Sequence, residues 1–430
     1  MIRRIIVAGG GTGGHLFPGM AVVEELRRRE RGLEVLWVGT ERGIEARVLP
    51  NAGEKVEFLD VTPLKGQSAA SLFQSLGRLP KAVAGARAIL KRFAPDLVLG
   101  VGGYASGPML AAASAMGIPT AVLEQNAHVG LTNRILAKLV GRAYVTFPET
   151  VGVFGADKAR VVGNPVRRAF VKAAQRADAD PVGFESRSRT VLVLGGSQGA
   201  RALNHTVPEA LARAGVMERH LHVVHQTGKA MRDEVAQAYR DLGVDAEVVP
   251  FIDDMARAYA NASVVIARAG ATTLAELCAI GRPSILIPFP HAADDHQGKN
   301  AEALAATGAA ICIREDVLTP GALADTLGAL LDDPSARRTM SDAARKQGRP
   351  DAAAAIVDDL VEWLGCSGMQ NPIDDEDEPA SEPEIASEPE KKSHASLRGS
   401  RPYVPRWQRR AELSSFAARR PLLVDGHAWE

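Results

Sequence analysis

Ile5-Ile6-Val7-Ala8-Gly9-Gly10-Gly11-Thr12-Gly13-Gly14-His15 is the stretch that decides the fold. Its apolar head reads as a buried first strand, and a helix is expected from Pro18 to Arg29. The glycine-rich turn between them brings backbone N–H groups, and the positive end of a helix dipole, close to whatever sits above, which favours an anion. Thr12 and His15 add two polar side chains, so the segment is expected to floor an active site. Gly9, Gly11 and Gly14 also satisfy the Gly-x-Gly-x-x-Gly spacing of dinucleotide-binding folds, with Glu41 beyond the second strand as a ribose-binding acid. Taken alone that match is weak, and the rest of the chain points away from a dehydrogenase.

The chain has 430 residues, which fits two α/β domains plus extras. Its 51 Lys and Arg balance 51 Asp and Glu, so nothing global argues for nucleic acid. Cys278, Cys312 and Cys366 lie in no metal or redox spacing and read as small buried hydrophobes in a reducing cytosol. The apolar run after Met1-Ile2-Arg3-Arg4 ends at Ala8, too short for a signal-peptide core. No segment approaches the roughly 20 apolar residues that span a bilayer, so any membrane contact is expected to be peripheral.

Short apolar runs then alternate with helical patterns. Strands are expected at Ile5–Ala8, Val35–Val38, Val56–Leu59, Leu97–Gly100, Thr120–Leu123, Ala143–Thr146 and Arg160–Val162, with amphipathic stretches such as Leu72–Phe93 between them. This is the pattern of a mostly parallel sheet covered by helices on both faces. Gly163-Asn164-Pro165 reads as a hinge. The pattern restarts at Thr190–Leu194, which runs into Gly195-Gly196-Ser197-Gln198-Gly199-Ala200, and continues through His222–His225, Glu247–Val249, Val264–Ala267 and Ser284–Ile287. Two strand–glycine turn–helix starts imply two doubly wound, Rossmann-like α/β domains facing across a cleft, at 1–163 and 164–350, with a strapping helix in 351–365. Residues 366–430 turn acidic and Pro/Ser-rich, then basic from Lys391 to Arg420, and are expected to be a disordered tail.

Several loops are too polar to be mere connections. Ser197 sits in the second glycine turn, where it suits a phosphate, or simply an N-cap. Ala271-Thr272-Thr273-Leu274-Ala275-Glu276 opens a helix at the carboxyl edge of a strand. Glu276 there suits ribose hydroxyls, or a capping box with a threonine. Pro288 to Asn300 is dense in polar groups. His291, Asp294, Asp295 and His296 raise a metal site, but without a recognised ligand spacing. Gly100–Pro108 and Glu124-Gln125-Asn126-Ala127-His128 share the rim of the first turn.

Together the blocks Gly9–Gly19, Gly100–Pro108, Glu124–Arg134, Gly163–Arg167, Gly195–Asn204, His225–Lys229, Phe251–Met255, Ala269–Glu276 and Pro288–Asn300 resemble the MurG family. These transferases add N-acetylglucosamine to the lipid-linked muramyl-pentapeptide precursor of peptidoglycan. The likeness runs to about Leu364 and leaves out the tail. It implies the two-domain GT-B fold, a UDP-N-acetylglucosamine donor, lipid I as acceptor, no metal and no cofactor. The enzyme would sit peripherally on the anionic cytoplasmic face of the inner membrane, with other cell-wall synthesis proteins as further partners. By motif, Ser197 and nearby backbone meet the pyrophosphate, Ile252 meets the uracil with Arg167 nearby, and Glu276 holds the ribose. Thr12, Gly13, Gly14, Asn126, Ala271 and Gln297 surround the sugar and diphosphate; Thr272, Thr273, Leu274 and Ala275 complete the ribose segment. His296 stands where some members carry glutamine, which puts its sugar contact in doubt. One inverting displacement needs one base. His15 is the first candidate, since imidazole titrates near neutrality, and Glu124 the second. The alternatives are a UDP-N-acetylglucosamine epimerase of the same fold and a non-enzymatic nucleotide-binding module. For the membrane contact, Leu72, Phe73, Leu76, Leu79 and Val83, ringed by Lys65, Arg78, Lys81, Arg87, Lys91 and Arg92, form either an apolar-basic surface or an ordinary core-packed helix.

Overall fold

A computed structural model describes residues 2–61, 69–179, 189–196, 199–292 and 295–366, with the backbone alone for 69–79 and 178. The expected membrane side chains from Leu72 to Leu79, with Lys65 and the tail after Cys366, lie outside the described residues.

Among the described residues thirteen strands form two fully parallel sheets. The first contains β1 (Arg4–Gly9), β2 (Glu34–Gly39), β3 (Val56–Phe58), β4 (Leu97–Gly102), β5 (Thr120–Glu124), β6 (Arg142–Val145) and β7 (Ala159–Val161), in the order β3-β2-β1-β4-β5-β6-β7. The second contains β8 (Thr190–Leu194), β9 (His222–Gln226), β10 (Ala246–Val249), β11 (Ala262–Ala267), β12 (Ser284–Leu286) and β13 (Ile311–Cys312), in the order β10-β9-β8-β11-β12-β13. In each sheet the order reverses beside the first strand, between β1 and β4 and between β8 and β11. Ligands of open α/β sheets bind at such switch points, beyond the strands' carboxyl ends. Both glycine turns stand there.

Alternation within the first strand divides the core. Ile5 and Val7 join Leu16, Val22, Val23 and Leu26 of the helix Gly13–Arg29 on one face, while Ile6 and Ala8 join Ala86, Ile89, Leu90, Met109 and Leu110 on the other. Strands buried on both faces read as continuous apolar runs, which is why they were legible. The edge strand β13 was not expected from sequence, because two residues carry no period. The first helix begins at Gly13, five residues before the expected start, and encloses Pro18. Val83, a member of the expected membrane set, is partly buried and packs against the core on the second face of the first sheet.

The helix Ala352–Trp363 follows the second sheet in sequence but packs on the first. Ile356, Val357 and Leu360 are fully buried against Ile5, Val7 and Leu97. Asp359 accepts from Arg142 Nε at 3.1 Å, Tyr144 Oη at 2.8 Å and Arg160 Nε at 2.9 Å. The Arg142 guanidinium lies 5.0 Å over the Trp363 ring, and Asp358 pairs with Arg29. One carboxylate thus ties the strap to β6 and β7. Asp359→Ala is expected to cost about 1.5–3 kcal/mol and Tyr144→Phe about 1 kcal/mol. Urea unfolding should show both as a lower midpoint at unchanged slope.

Candidate active site

The first glycine turn is built against β4. Gly9, Gly10 and Gly11 have φ of +139°, +138° and +86°, which favour glycine. A Cβ on Gly9 would stand 2.0 Å from the Gly102 carbonyl oxygen, and one on Gly103 2.4 Å from that of Gly10. This close approach uses up donors. The Gly10 N–H donates to Gly102 O at 3.1 Å, and the Gly11 N–H to Glu45 Oε2 at 2.6 Å. The expected anion cradle is therefore not made by these glycines, and a carboxylate stands behind them. What remains is the N-terminus of the helix Gly13–Arg29, whose N-cap Thr12 makes no side-chain capping bond.

Pro18 explains the contact between the lobes. It has no N–H to give the carbonyl four residues back, that of Gly14. The Thr272 hydroxyl, from the second lobe, donates to Gly14 O at 3.2 Å instead. Thr272 opens the helix Ala271–Ile280 from the end of β11, so two helix N-termini meet at this bond. Gly270 takes the N-cap place, and Glu276 lies too deep in the helix for a capping box.

His15 is half-buried in the first turn. Its Nδ1 lies 3.1 Å from the Gly10 carbonyl oxygen, which can only accept, so Nδ1 carries the proton and Nε2 is left as the acceptor. Burial lowers the ring's pKa below 6.5; the Gly10 carbonyl, Glu124 and Glu45 pull it up, and His296 of the second lobe pushes it down. Glu124, at the end of β5, is 3% exposed and fully engaged. Its Oε1 accepts from Asn126 N at 3.1 Å and Asn126 Nδ2 at 3.4 Å, its Oε2 from Asn133 Nδ2 at 2.9 Å and Gly130 N at 3.2 Å. Its observed work is to shape the 124–133 loop.

On the second side, Arg167 lies 4.7 Å over the Phe17 ring and 3.9 Å from Glu276 Oε1. Glu276 is 6% exposed; burial pushes its pKa up to about 7, against the pull of Arg167 and the buried Tyr259 hydroxyl. The Ile252 N–H is already partnered by Gln226 Oε1 at 3.2 Å. Gln226, 3% exposed at the end of β9, holds this backbone group and was not expected to, because a glutamine inside an apolar strand gives no signal of its own. Gln297 Oε1 accepts the Phe289 N–H at 3.1 Å. The Leu274 side chain belongs to the core of the second sheet, which leaves only its backbone for a ligand. Ala271, Thr273 and Ala275 line the same helix start. Ser197 and Asp294 lie outside the described residues. Asp295 is held by Arg314 at 2.9 and 3.0 Å. Among the described residues no His/Cys/Asp/Glu group is arranged to hold a metal.

Two doubly wound lobes with polar loops at facing switch points define a GT-B-like glycosyltransferase, and comparison agrees. The Glycosyltransferase family 28 N-terminal domain matches residues 5–145 and the Glycosyltransferase family 28 C-terminal domain residues 190–356. The chain belongs to the MurG family of this class. It is 47% identical over 363 residues, 84% of this chain and 94% of the relative, to a UDP-N-acetylglucosamine--N-acetylmuramyl-(pentapeptide) pyrophosphoryl-undecaprenol N-acetylglucosamine transferase of Myxococcus xanthus. The protein of that name from Geobacter sulfurreducens is 45% identical, with 83% and 98% covered. Acinetobacter baumannii MurG superposes with a TM-score of 0.65 at 31% identity, over 84% of this chain and 99% of that one. A UDP-GlcNAc 2-epimerase from Neisseria meningitidis shares the fold at a TM-score of 0.59 but only 15% identity, over 84% of this chain and 100% of that one.

The raised Glu276 pKa has a sign that can be tested. With the folded value near 7 and the ordinary value 4.5, stability present below pH 4.5 is lost as pH rises through about 7. Calorimetry should therefore show Glu276→Gln melting above the unsubstituted protein at pH 8, with the gap closing towards pH 5. The same variant should bind UDP about tenfold or more weakly, having lost a charged acceptor.

Proposed function

We propose that the chain transfers N-acetylglucosamine from UDP-N-acetylglucosamine to the 4-hydroxyl of the muramyl sugar of lipid I, inverting the anomeric centre and giving lipid II. The observation that carries the chemistry is the His15 ring: Nδ1 is held by Gly10 O, and burial lowers its pKa, so a neutral imidazole with an accepting Nε2 stands at the cleft near neutral pH. The acceptor oxygen bonds to the anomeric carbon, its proton passes to Nε2, and the bond to the diphosphate breaks with its electron pair leaving on UDP. Glu124 is the weaker candidate, because every bond it accepts holds its own loop.

The domain assignment we favour puts the acceptor on 1–163 and the donor on 164–350, with Glu276 at the ribose, Ile252 at the uracil and Ser197 at the pyrophosphate. Thr12, Gly13, Gly14, Asn126, Ala271 and Gln297 then enclose the sugar and diphosphate. Departing charge is met by the facing helix N-termini, a metal-independent arrangement. Incubation with UDP-N-acetylglucosamine and a lipid I analogue, with chelator present, should yield the β-1,4-linked disaccharide and UDP. Formation of the 2-epimer of the donor alone would establish the epimerase instead. His15→Ala should lower kcat by on the order of 10²–10⁴-fold with donor KM little changed; near-normal turnover would remove His15 as base.

No helix among the described residues is long and apolar enough to cross a membrane, and a lipid-linked acceptor calls for peripheral contact with the anionic cytoplasmic leaflet. The support is a described stripe: Leu131, Ile135 and Leu139 are 56%, 63% and 47% exposed at four-residue spacing, with Arg134 and Lys138 exposed between them. It continues directly from the Glu124–His128 loop on the acceptor rim. Leu131→Ser with Ile135→Ser and Lys138→Glu should weaken binding to anionic vesicles about tenfold or more, and leave UDP binding intact. Unchanged vesicle binding would remove this stripe as the contact.

A further inference from the structure

Glu45 has no place among the donor or acceptor groups above, yet its side chain is 1% exposed and its carboxylate is wired into the first glycine turn. It opens the helix Glu45–Asn51. Oε2 accepts the Gly11 N–H at 2.6 Å, and Oε1 accepts the Thr40 N–H at 2.9 Å and the Thr40 hydroxyl at 3.0 Å. Three glycines make room for it. A Cβ on Gly10, Gly39 or Gly43 would stand 2.4, 2.5 or 2.1 Å from this side chain.

The Gly11 N–H and the Gly10 carbonyl are the two ends of one planar peptide unit. The carboxylate holds the N–H end, and the carbonyl end holds His15 Nδ1 at 3.1 Å. A negative group on the N–H polarises the amide and makes its oxygen a stronger acceptor. We propose that Glu45 is a positioning residue for the transfer: through the Gly10–Gly11 peptide it holds His15 in the tautomer with Nε2 free, and stabilises the imidazolium that forms as the acceptor proton is taken. The logic is that of the carboxylate–histidine pair in hydrolase triads, with a peptide between the two. The φ of +138° at Gly10 and +86° at Gly11, which favour glycine, set the backbone course on which one peptide meets both side chains. The other groups that act on the ring are Glu124, His296 and Thr12, whose hydroxyl oxygen lies 3.5 Å from Nδ1.

The inference rests on His15 as the base, and the test separates the two. In Glu45→Gln of the full chain, an amide cannot accept from both backbone donors. We expect kcat to fall about 10- to 100-fold, donor KM to stay within about twofold, and the acidic limb of the kcat profile to move to lower pH by roughly half to one unit. The His15 ring titration, followed by NMR, should move the same way. A folded variant in which kcat and that titration are unmoved overturns the proposal. So does a loss of kcat with the titration unmoved, which is a structural effect. If the variant does not fold, nitrogen shifts of His15 in the unsubstituted protein decide: protonation at Nδ1 supports the relay and protonation at Nε2 overturns it. Retained turnover in His15→Ala would remove the base assignment and leave the ring titration to report the relay alone.

Discussion

The rest of this structure depends on how closely two glycine loops approach each other at the switch point of the first sheet. Gly9–Gly11 after β1 and Gly102–Gly103 after β4 leave no room for a side chain between them. The Gly10 N–H to Gly102 O bond closes the gap. The closure settles the direction of each peptide in the turn, and so the tautomer of His15. It also makes the start of the helix Gly13–Arg29, and not the glycines themselves, the electropositive edge of the cleft. A glycine-rich turn is usually read as a cradle for phosphate. Here a carboxylate and a carbonyl have taken those N–H groups, and the carbonyl of the same turn holds the His15 ring.

The same economy joins the lobes. A proline in the second turn of a helix frees one carbonyl, and a buried free carbonyl needs a donor. Thr272 meets it from the other lobe. Arg167 adds a second tie, with its guanidinium stacked on Phe17 and near the Glu276 carboxylate. Glu276 thus faces a cation at the junction of the lobes. The helix Ala352–Trp363 returns to the first sheet, so the connection between the lobes is doubled.

Much of this was legible in sequence because the physics is local. Strands buried on both faces are apolar throughout, and glycine turns after them mark the carboxyl edge where ligands bind. The expected start of the first helix at Pro18 was late, because proline suits a first turn and glycine disfavours a helix. The actual start at Gly13 is held by the packing of Leu16 and Val22, which local preference does not encode. Gln226 and Glu45 were invisible for another reason. Their significance lies in which backbone N–H each accepts, and those partners are 26 and 34 residues away in the chain. Glu41, the acid that spacing selected, is exposed. Glu45, four residues later, is the one the fold turns inward.

In the proposed relay that difference decides how a neutral imidazole would act as base. Desolvation alone lowers the ring's pKa and makes it a poor proton acceptor, while a carboxylate in direct contact would favour the charged ring before substrate arrives. A peptide between carboxylate and ring gives a graded outcome. On the proposed relay the ring is neutral at rest, with its direction set by the Gly10 carbonyl, and the interaction would strengthen as positive charge developed on Nδ1–H. His296 opposes the charged ring from the other lobe, so the relation between the lobes enters the basicity of His15 directly.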